Sequence, residues 1–195
     1  MTIHASDPFA TPDPSKSTAR RLRGRLPAAV TLWTTYDGDG RPVGLTVSSL
    51  IVADGEPGRV AGLLDEEADV WAAISRSGAF AVVALGVADG RLADVFAGVL
   101  PAPGGAFAQP DVTPGEWLRT PFGPVLPGRT WAGCRLDDAQ PFGWSLLVRA
   151  TLIEVALTDE NPTDKRPVGQ AIPLVHYRGR YAGCLLYTSP SPRDS

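Results

Sequence analysis

Turn-forming residues interrupt this chain so often that its sequence argues against a bundle of long helices. Glycine and proline supply 21 and 19 of the 195 residues, well above their average usage. Between the turns lie short β-branched, aromatic or apolar segments of strand length. The sequence therefore predicts a mainly β protein built from many short strands.

The first predicted hairpin is the clearest of these units. Residues 29–35 are β-branched and aromatic. Residues 37–40 (DGDG) supply the residues that readily adopt positive φ in a tight hairpin turn. Residues 43–49 then return as the second strand. Alternation along that strand places Thr46 and Ser48 on the same face, so both hydroxyls are available to one partner.

About seven strands and two helices are predicted in all. Beyond the first hairpin, the predicted strands are residues 59–64, 79–85, 130–136, 144–156 (long enough to bend or bulge) and 172–181, the last as one strand or a pair around Gly179. The predicted helices are residues 65–76, with Gly78 as the C-cap, and residues 92–100. Residues 101–128 predict a surface excursion packed by its own aromatic residues. This pattern favours a β-barrel with helical decoration.

Composition divides the chain into three parts. Residues 1–25 combine prolines, polar residues and arginines and predict a disordered or partly helical arm. Its basic run fits an anionic ligand or, more simply, a solvated arm. Residues 26–183 form the predicted domain, and residues 184–195 are a Ser/Pro-rich tail of non-native appearance.

Charge and cysteine content argue against several functions. A net charge of −3 gives no general reason to bind nucleic acid or an anionic membrane. The longest apolar stretch, residues 79–88, is about half of a membrane span. Cys134 and Cys184 have no metal-ligand spacing and are too few for a disulfide framework, so we expect no metal site and a cytoplasmic location.

The usual catalytic motifs are absent from the sequence: it has no nucleophile elbow, phosphate-binding loop or His-x-x-x-His pair. An enzyme of this sequence would therefore take its chemistry from a cofactor. Residues 44–50 and 173–181 suit a flat cofactor with a polar edge and an anionic tail. In the second segment His176 could orient a nicotinamide, and Arg178 or Arg180 could pair with a phosphate.

Each of these segments also has a purely structural interpretation. The hydroxyls of residues 44–50 could instead form cross-strand hydrogen bonds. Residues 173–181 could form a terminal hairpin whose tyrosines pack while its arginines are solvated.

Five segments, taken in order, resemble the flavin reductase-like family of FMN-binding split barrels. They are residues 26–35, 41–50, 78–85, 92–98 and 173–181. The likeness extends from about Leu26 to Tyr181, most of the chain. It implies a six-stranded Greek-key split barrel, here with two short helices, that forms a homodimer with flavin at or near the subunit interface.

The resemblance also implies site residues. The flavin ring and ribityl chain would contact Thr46, Val47, Ser48 and Ser49, and the phosphate would lie at Leu63, Leu64 and Asp65. His176 would lie near the ring as the catalytic residue. Arg178, which the residues themselves suggest as a phosphate partner, is the further predicted cofactor ligand. The carboxylates of residues 65–69 depart from the family pattern, so either they cap the helix and point away or the phosphate is held elsewhere.

The function implied is an NAD(P)H-dependent flavin reductase with FMN, or alternatively FAD, as cofactor. Such an enzyme passes hydride from the nicotinamide to the flavin and can supply a partner monooxygenase. Since one fold carries several functions, the alternative is a non-catalytic flavin-binding or interaction barrel.

Overall fold

The computed structural model describes residues 18–109, 116–158 and 172–183. These ranges contain three α-helices and twelve β-strands, so the mainly β prediction is confirmed. Most of the predicted arm, the whole Ser/Pro-rich tail and residues 110–115 of the predicted excursion lie outside them. The last turns of the arm are helical, as α1 (Thr18–Arg23).

The main sheet has seven strands, all joined to their neighbours in antiparallel fashion. In spatial order they are β3 (Pro42–Val47), β2 (Thr31–Tyr36), β6 (Ala79–Ala84), β9 (Trp131–Phe142), β10 (Ser145–Ala156), β5 (Arg59–Leu64) and β4 (Ile51–Ala53). The six-stranded barrel implied by the resemblance is not confirmed, since the main sheet has seven strands, one of which, β4, the sequence pattern did not predict. That strand has three residues, all exposed, which is too few for an alternating pattern.

Register shifts interrupt the long β9–β10 pair at two points, between Arg149 and Ala150 and between Leu152 and Glu154. The predicted bend or bulge of the second long strand is therefore confirmed.

A smaller sheet packs at one end of the main sheet. It consists of β1 (Ala28–Ala29), β11 (Leu174–Tyr177) and β12 (Arg180–Gly183), so the predicted last strand is a pair. The chain passes directly from β1 into β2, and the N–H of Val30 donates to the carbonyl of Leu174 at 2.9 Å. A two-stranded ribbon, β7 (Leu118–Arg119) and β8 (Pro124–Val125), completes the strands.

Two predicted helices are present, each with shifted bounds, and α1 makes a third: α2 (Asp69–Ser77) and α3 (Gly90–Phe96). Helix α2 starts four residues later than predicted because residues 65–68 form a turn, in which the N–H of Ala68 donates to the carbonyl of Asp65 at 3.1 Å. Gly78 is the predicted C-cap, with φ of 68° and its N–H donating to the carbonyl of Ile74.

Buried apolar residues form two clusters. One contains Trp33 stacked on Phe80, with ring centroids 4.7 Å apart. The other contains Phe96, against which Phe107 and Trp117 of the predicted excursion pack edge to face. That excursion is more than a surface feature, since Val125 and Leu126 are fully buried within it.

Candidate functional site

The strand that carries the predicted ligand residues, β3, forms one edge of the main sheet. Its two faces differ as alternation predicts. Leu45 and Val47 pack in the Trp33 cluster. On the other face, the Thr46 hydroxyl donates to the carbonyl of Ala93 in α3 at 2.7 Å. The strand is therefore held from both sides close to its end.

The hydroxyl of Ser49 fastens the end of β3 to β5. Its Oγ accepts the N–H of Leu63 at 2.8 Å and donates to the carbonyl of the same residue at 3.2 Å. This side chain bridges two strands that are not neighbours in the sheet. The hydroxyls of Thr46 and Ser49 thus form hydrogen bonds within the protein, as the purely structural interpretation of residues 44–50 expects.

Ser48 lies between these two anchored residues, at the bend where β3 ends. It is half-buried, and within the described residues its hydroxyl has no hydrogen-bond partner. A hydroxyl with a free donor and two free lone pairs suits the polar edge of a flat heterocycle. Within the described residues, the end of β3 therefore offers one hydroxyl that a ligand can bind.

The predicted phosphate segment is less suited to an anion. Leu64 is buried, and the N–H of Leu63 already donates a hydrogen bond to the hydroxyl of Ser49. The Asp65 carboxylate accepts the N–H of Glu67 at 3.0 Å, so it stabilises the turn before α2. The charged side chains of residues 65–69 are all exposed carboxylates, which repel a phosphate placed beside them.

His176 lies on β11, opposite Ala28 on one side and Tyr181 on the other. The rings of His176 and Tyr181 meet edge to face, with centroids 6.0 Å apart. Burial of the imidazole, and then the positive charge of Arg23, lower the pKa of His176 below its usual value. The imidazole is therefore neutral at pH 7.

Strand register brings His176 and the end of β3 to the same end of the main sheet. Ala28 pairs with His176, and Thr31 pairs with Val47, the residue before Ser48. Ala28 and Thr31 are three residues apart, which is about 10 Å along an extended chain. The register therefore puts these two segments, which are far apart in sequence, at the same end of the main sheet.

Arg178 occupies the turn between β11 and β12. Its φ is 51°, and its N–H donates to the carbonyl of Gly24 at 2.7 Å, which joins this turn to the end of α1. The guanidinium carbon lies 5.5 Å from the ring centre of Tyr177 and the side chain is exposed.

Sequence analysis missed a buried ion pair beside this site. Arg129 donates to both oxygens of Asp89, at 2.9 and 2.7 Å, and the N–H of Gly86 donates to the same carboxylate at 2.8 Å. Gly86 in turn bridges to Pro173, just before β11. The two partners are 40 residues apart in the sequence, and neither lies in a local sequence pattern that predicts an ion pair.

Two other kinds of site find no support in the described residues. Those ranges contain no group of three or more histidine, cysteine or acidic residues that could hold a metal ion, and no helix long and apolar enough to cross a membrane. Burial raises the pKa of the Cys134 thiol to about 12, so this cysteine is an unreactive core residue.

Residues 23–184 match the family described as the flavin reductase like domain. FMN reductase (NADH) RutF 2 of Methylorubrum extorquens is 37% identical over 142 residues, which are 71% of this chain and 76% of the relative. HsaB of Rhodococcus jostii, the reductase subunit of a flavin-dependent monooxygenase, is 28% identical and covers 84% of this chain and 75% of its own. A crystal structure of nitrilotriacetate monooxygenase component B from Mycobacterium thermoresistibile superposes with a TM-score of 0.67 at 27% identity, covering 86% of this chain and 85% of that one.

Proposed function

Since this chain belongs to the flavin reductase-like family, we propose that it binds flavin at the end of β3 and accepts hydride there from NAD(P)H. The observation that carries the proposal is the hydroxyl of Ser48, which has no hydrogen-bond partner in the described part of the chain and lies at the same sheet end as His176. A family match over most of the chain and a relative named as an FMN reductase support the activity, NAD(P)H-dependent flavin oxidoreduction.

Ser48 donates a hydrogen bond to the polar edge of the flavin ring. Thr46 and Ser49 hold the strand on either side of it through their bonds to Ala93 and Leu63, while Val47 anchors it in the core. These contacts fix the position of the hydroxyl before ligand arrives, which lowers the cost of binding.

The phosphate end is arranged around the start of α2. We keep the flavin phosphate near Leu63, Leu64 and Asp65, although the N–H of Leu63 already donates to Ser49 and the Asp65 carboxylate accepts the N–H of Glu67. We propose FMN as the cofactor, with FAD as the alternative. The carboxylates of this segment limit the affinity for a dianionic phosphate.

The proposed reaction requires little acid–base catalysis from the side chains of the protein. A bound flavin supplies an acceptor at N5 for the hydride that leaves C4 of the nicotinamide. The neutral imidazole of His176 orients the nicotinamide by hydrogen bonding and keeps one face of the site partly dry, as its half-buried position allows. Arg178 contributes positive charge for phosphate groups at the rim of the site.

We further propose an assembly and a location. The seven-stranded sheet closes as the split barrel of the family, and two copies join with the flavin at or near the subunit interface. Reduced flavin then passes to a partner monooxygenase, a proposal supported by the name of HsaB, the reductase subunit of a flavin-dependent monooxygenase. The protein works in the cytoplasm. Light scattering that gives a monomer of 20.6 kDa at micromolar concentration would contradict the dimer.

Anaerobic titration tests the enzymatic activity. Purified protein reconstituted with FMN is expected to be yellow and to bleach when NADH or NADPH is added. Colour that no nicotinamide bleaches would instead favour the non-catalytic flavin carrier. Protein that retains neither FMN nor FAD would favour the interaction barrel.

A further inference from the structure

An open cavity of about 320 Å³ lies on the surface of the main sheet beside its β4 edge, and we call it the outer cavity. Val60 and Leu64 of β5 are buried in the Trp33 cluster, so alternation turns Ala61 to the opposite face of that strand. The residues that line the outer cavity include Ile51, Ala53, Arg59, Ala61, Asp137 and Arg149. Its floor is therefore apolar, and its charged groups lie at the rim.

Both arginines at the rim of the outer cavity are paired with carboxylates. Nη1 of Arg59 lies 2.7 Å from Oδ2 of Asp137, a carboxylate that also accepts the hydroxyl of Thr151 at 2.8 Å. Nε of Arg149 lies 2.7 Å from Oδ1 of Asp138. The two cations and two anions carry no net charge together, so the rim gives no reason to prefer a phosphate. A guanidinium held in this way still offers a flat face and further N–H donors, which suit an uncharged aromatic heterocycle.

The outer cavity adjoins the proposed flavin site. Ile51 pairs with Ala61, and the hydrogen bonds between Ser49 and Leu63 come next along the same two segments of the chain. Ser48 lies three residues before Ile51, which is about 10 Å along an extended chain. The cavity therefore begins close to the place where we put the flavin tail.

The hydroxyl of Ser48 and the outer cavity lie on the same side of the sheet. On β3, Val47 packs in the Trp33 cluster, and alternation therefore turns Ser48 away from that cluster. On β5, Ala61 and Leu63 face away from the same cluster. A ligand whose ring binds at Ser48 and whose tail passes Leu63 therefore continues into the outer cavity.

We propose that the outer cavity binds the adenosine group of a dinucleotide whose reactive ring lies beside Ser48. The inference rests on the proposed function, which brings flavin and NAD(P)H to that place. FAD and NAD(P)H both carry adenosine at the end of a diphosphate, so the cavity recognises the same chemical group whichever of them supplies it. Adenine is flat and uncharged, which matches the apolar floor and the neutral rim. The volume lies at the lower end of the range for small-molecule sites, as one nucleoside requires.

Two substitutions should weaken the binding of adenosine by different means. Ala61→Phe adds a large side chain on the outer face, where an aromatic residue suits a strand, and it should fill the cavity and abolish the advantage that adenosine confers. Arg149→Gln removes one cation from the rim and should weaken binding about two- to fivefold, the range for a cation over an exposed aromatic ring. The matched controls are Ala156→Phe, at the last residue of β10, and Arg41→Gln, which also removes an exposed ion pair.

Calorimetry compares ligands that carry adenosine with ligands that lack it. FAD and FMN are titrated into the flavin-free protein, and NAD⁺ and nicotinamide mononucleotide are titrated into the protein loaded with FMN. Tighter binding of FAD than of FMN assigns the adenosine to the flavin, and tighter binding of NAD⁺ than of the mononucleotide assigns it to the nicotinamide. In either case we expect the advantage to vanish in Ala61→Phe, to fall in Arg149→Gln and to persist in both controls. Thermal melting checks that Ala61→Phe is folded, and Arg149→Gln decides the question if it is not.

The inference is overturned if adenosine improves the binding of neither ligand in the parent protein, or if its advantage is unchanged in Ala61→Phe and Arg149→Gln. If Ala61→Phe instead separates a dimer into monomers in light scattering and leaves both preferences unchanged, the outer cavity is a contact between two copies of the chain. Failure of NADH and NADPH to reduce bound FMN under anaerobic conditions would contradict the proposed function itself. Because that result comes from a reduction experiment and the others come from binding, the two failures are distinguishable.

Discussion

Asp89 and Arg129 form a buried, two-pronged ion pair that joins the start of α3 to the segment before β9. Their side chains are only 3% and 7% exposed. The N–H of Gly86 shares the carboxylate, and Gly86 bridges to Pro173. The ion pair therefore helps to hold the bridge between Gly86 and Pro173, which directly precedes β11 and His176.

Removing one partner of this pair should be costly. Asp89→Ala leaves an unpaired buried guanidinium and is expected to lower the free energy of unfolding by about 3–5 kcal/mol. Urea denaturation measures the loss. Asp138→Ala is the matched control because its pair with Arg149 is about half exposed, and there we expect less than about 1 kcal/mol. Equal losses in the two variants would show that burial of the Asp89 pair adds nothing.

Ser48 and Ser49 should separate ligand binding from folding. Ser48→Ala removes one hydrogen bond of about 0.5–1.5 kcal/mol, so FMN should bind up to about tenfold more weakly while stability is unchanged. Ser48→Val should bind more weakly still, because added bulk obstructs the ring. Ser49→Ala should instead lower stability, since it strips the N–H of Leu63 of its acceptor. Fluorescence titration and thermal melting measure the two effects, and unchanged FMN affinity in Ser48→Ala would remove Ser48 from the site.

His176 should act on hydride transfer more than on flavin affinity. We expect His176→Ala to leave the dissociation constant of FMN nearly intact and to slow reduction by NAD(P)H up to about tenfold, the value of one neutral hydrogen bond. His176→Asn, which retains a donor, should recover part of the rate. Anaerobic stopped-flow gives the rate. Loss of FMN binding by folded His176→Ala would make His176 a flavin ligand, and no change in either quantity would support a merely packed hairpin.

The lowered pKa of His176 also predicts how stability depends on pH. The unfolded chain takes up a proton near pH 6.5, whereas the folded protein takes it up only at lower pH, because burial and Arg23 disfavour the imidazolium. This contribution to stability is therefore fully present above pH 6.5 and is lost as the pH falls to the pKa of the folded state. Urea midpoints between pH 7.5 and pH 5 measure it. The decline over this range should be smaller in His176→Asn, and an identical decline would refute the assignment.

Gly62 should tolerate no side chain. A Cβ at this position would lie 2.7 Å from Cζ2 of Trp33, a fully buried ring that also stacks on Phe80. Gly62→Ala is expected to destabilise the protein by about 1–3 kcal/mol through overpacking. Gly38→Ala is the control, since a Cβ there meets nothing within 4 Å. Equal melting temperatures for the two variants would contradict this account.

Local chemistry explains which parts of the fold the sequence could predict. The hairpin of β2 and β3, the strand β6 and the cap at Gly78 depend on turn residues and on patterns that span few residues, and all three are present. The exposed three-residue β4 carries no such pattern. The same holds for the pair of Asp89 and Arg129, whose partners lie 40 residues apart in the sequence.

The site divides in the same way. Alternation correctly placed Thr46 on the face opposite Leu45 and Val47. No pattern could tell that Thr46 and Ser49 bond to backbone carbonyls while Ser48 has no partner among the described residues, because the partners of the first two belong to α3 and β5. The roles of these residues and of His176 toward flavin and nicotinamide stay predictions for the experiments above.

The hydrogen bonds of Ser49 join β3, the strand at one edge of the main sheet, to β5, which lies next to the strand at the other edge. The sheet therefore curves far enough for the first and sixth strands in its spatial order to meet. An open strand edge can pair with a strand of another chain, so this curvature limits association through the β3 edge.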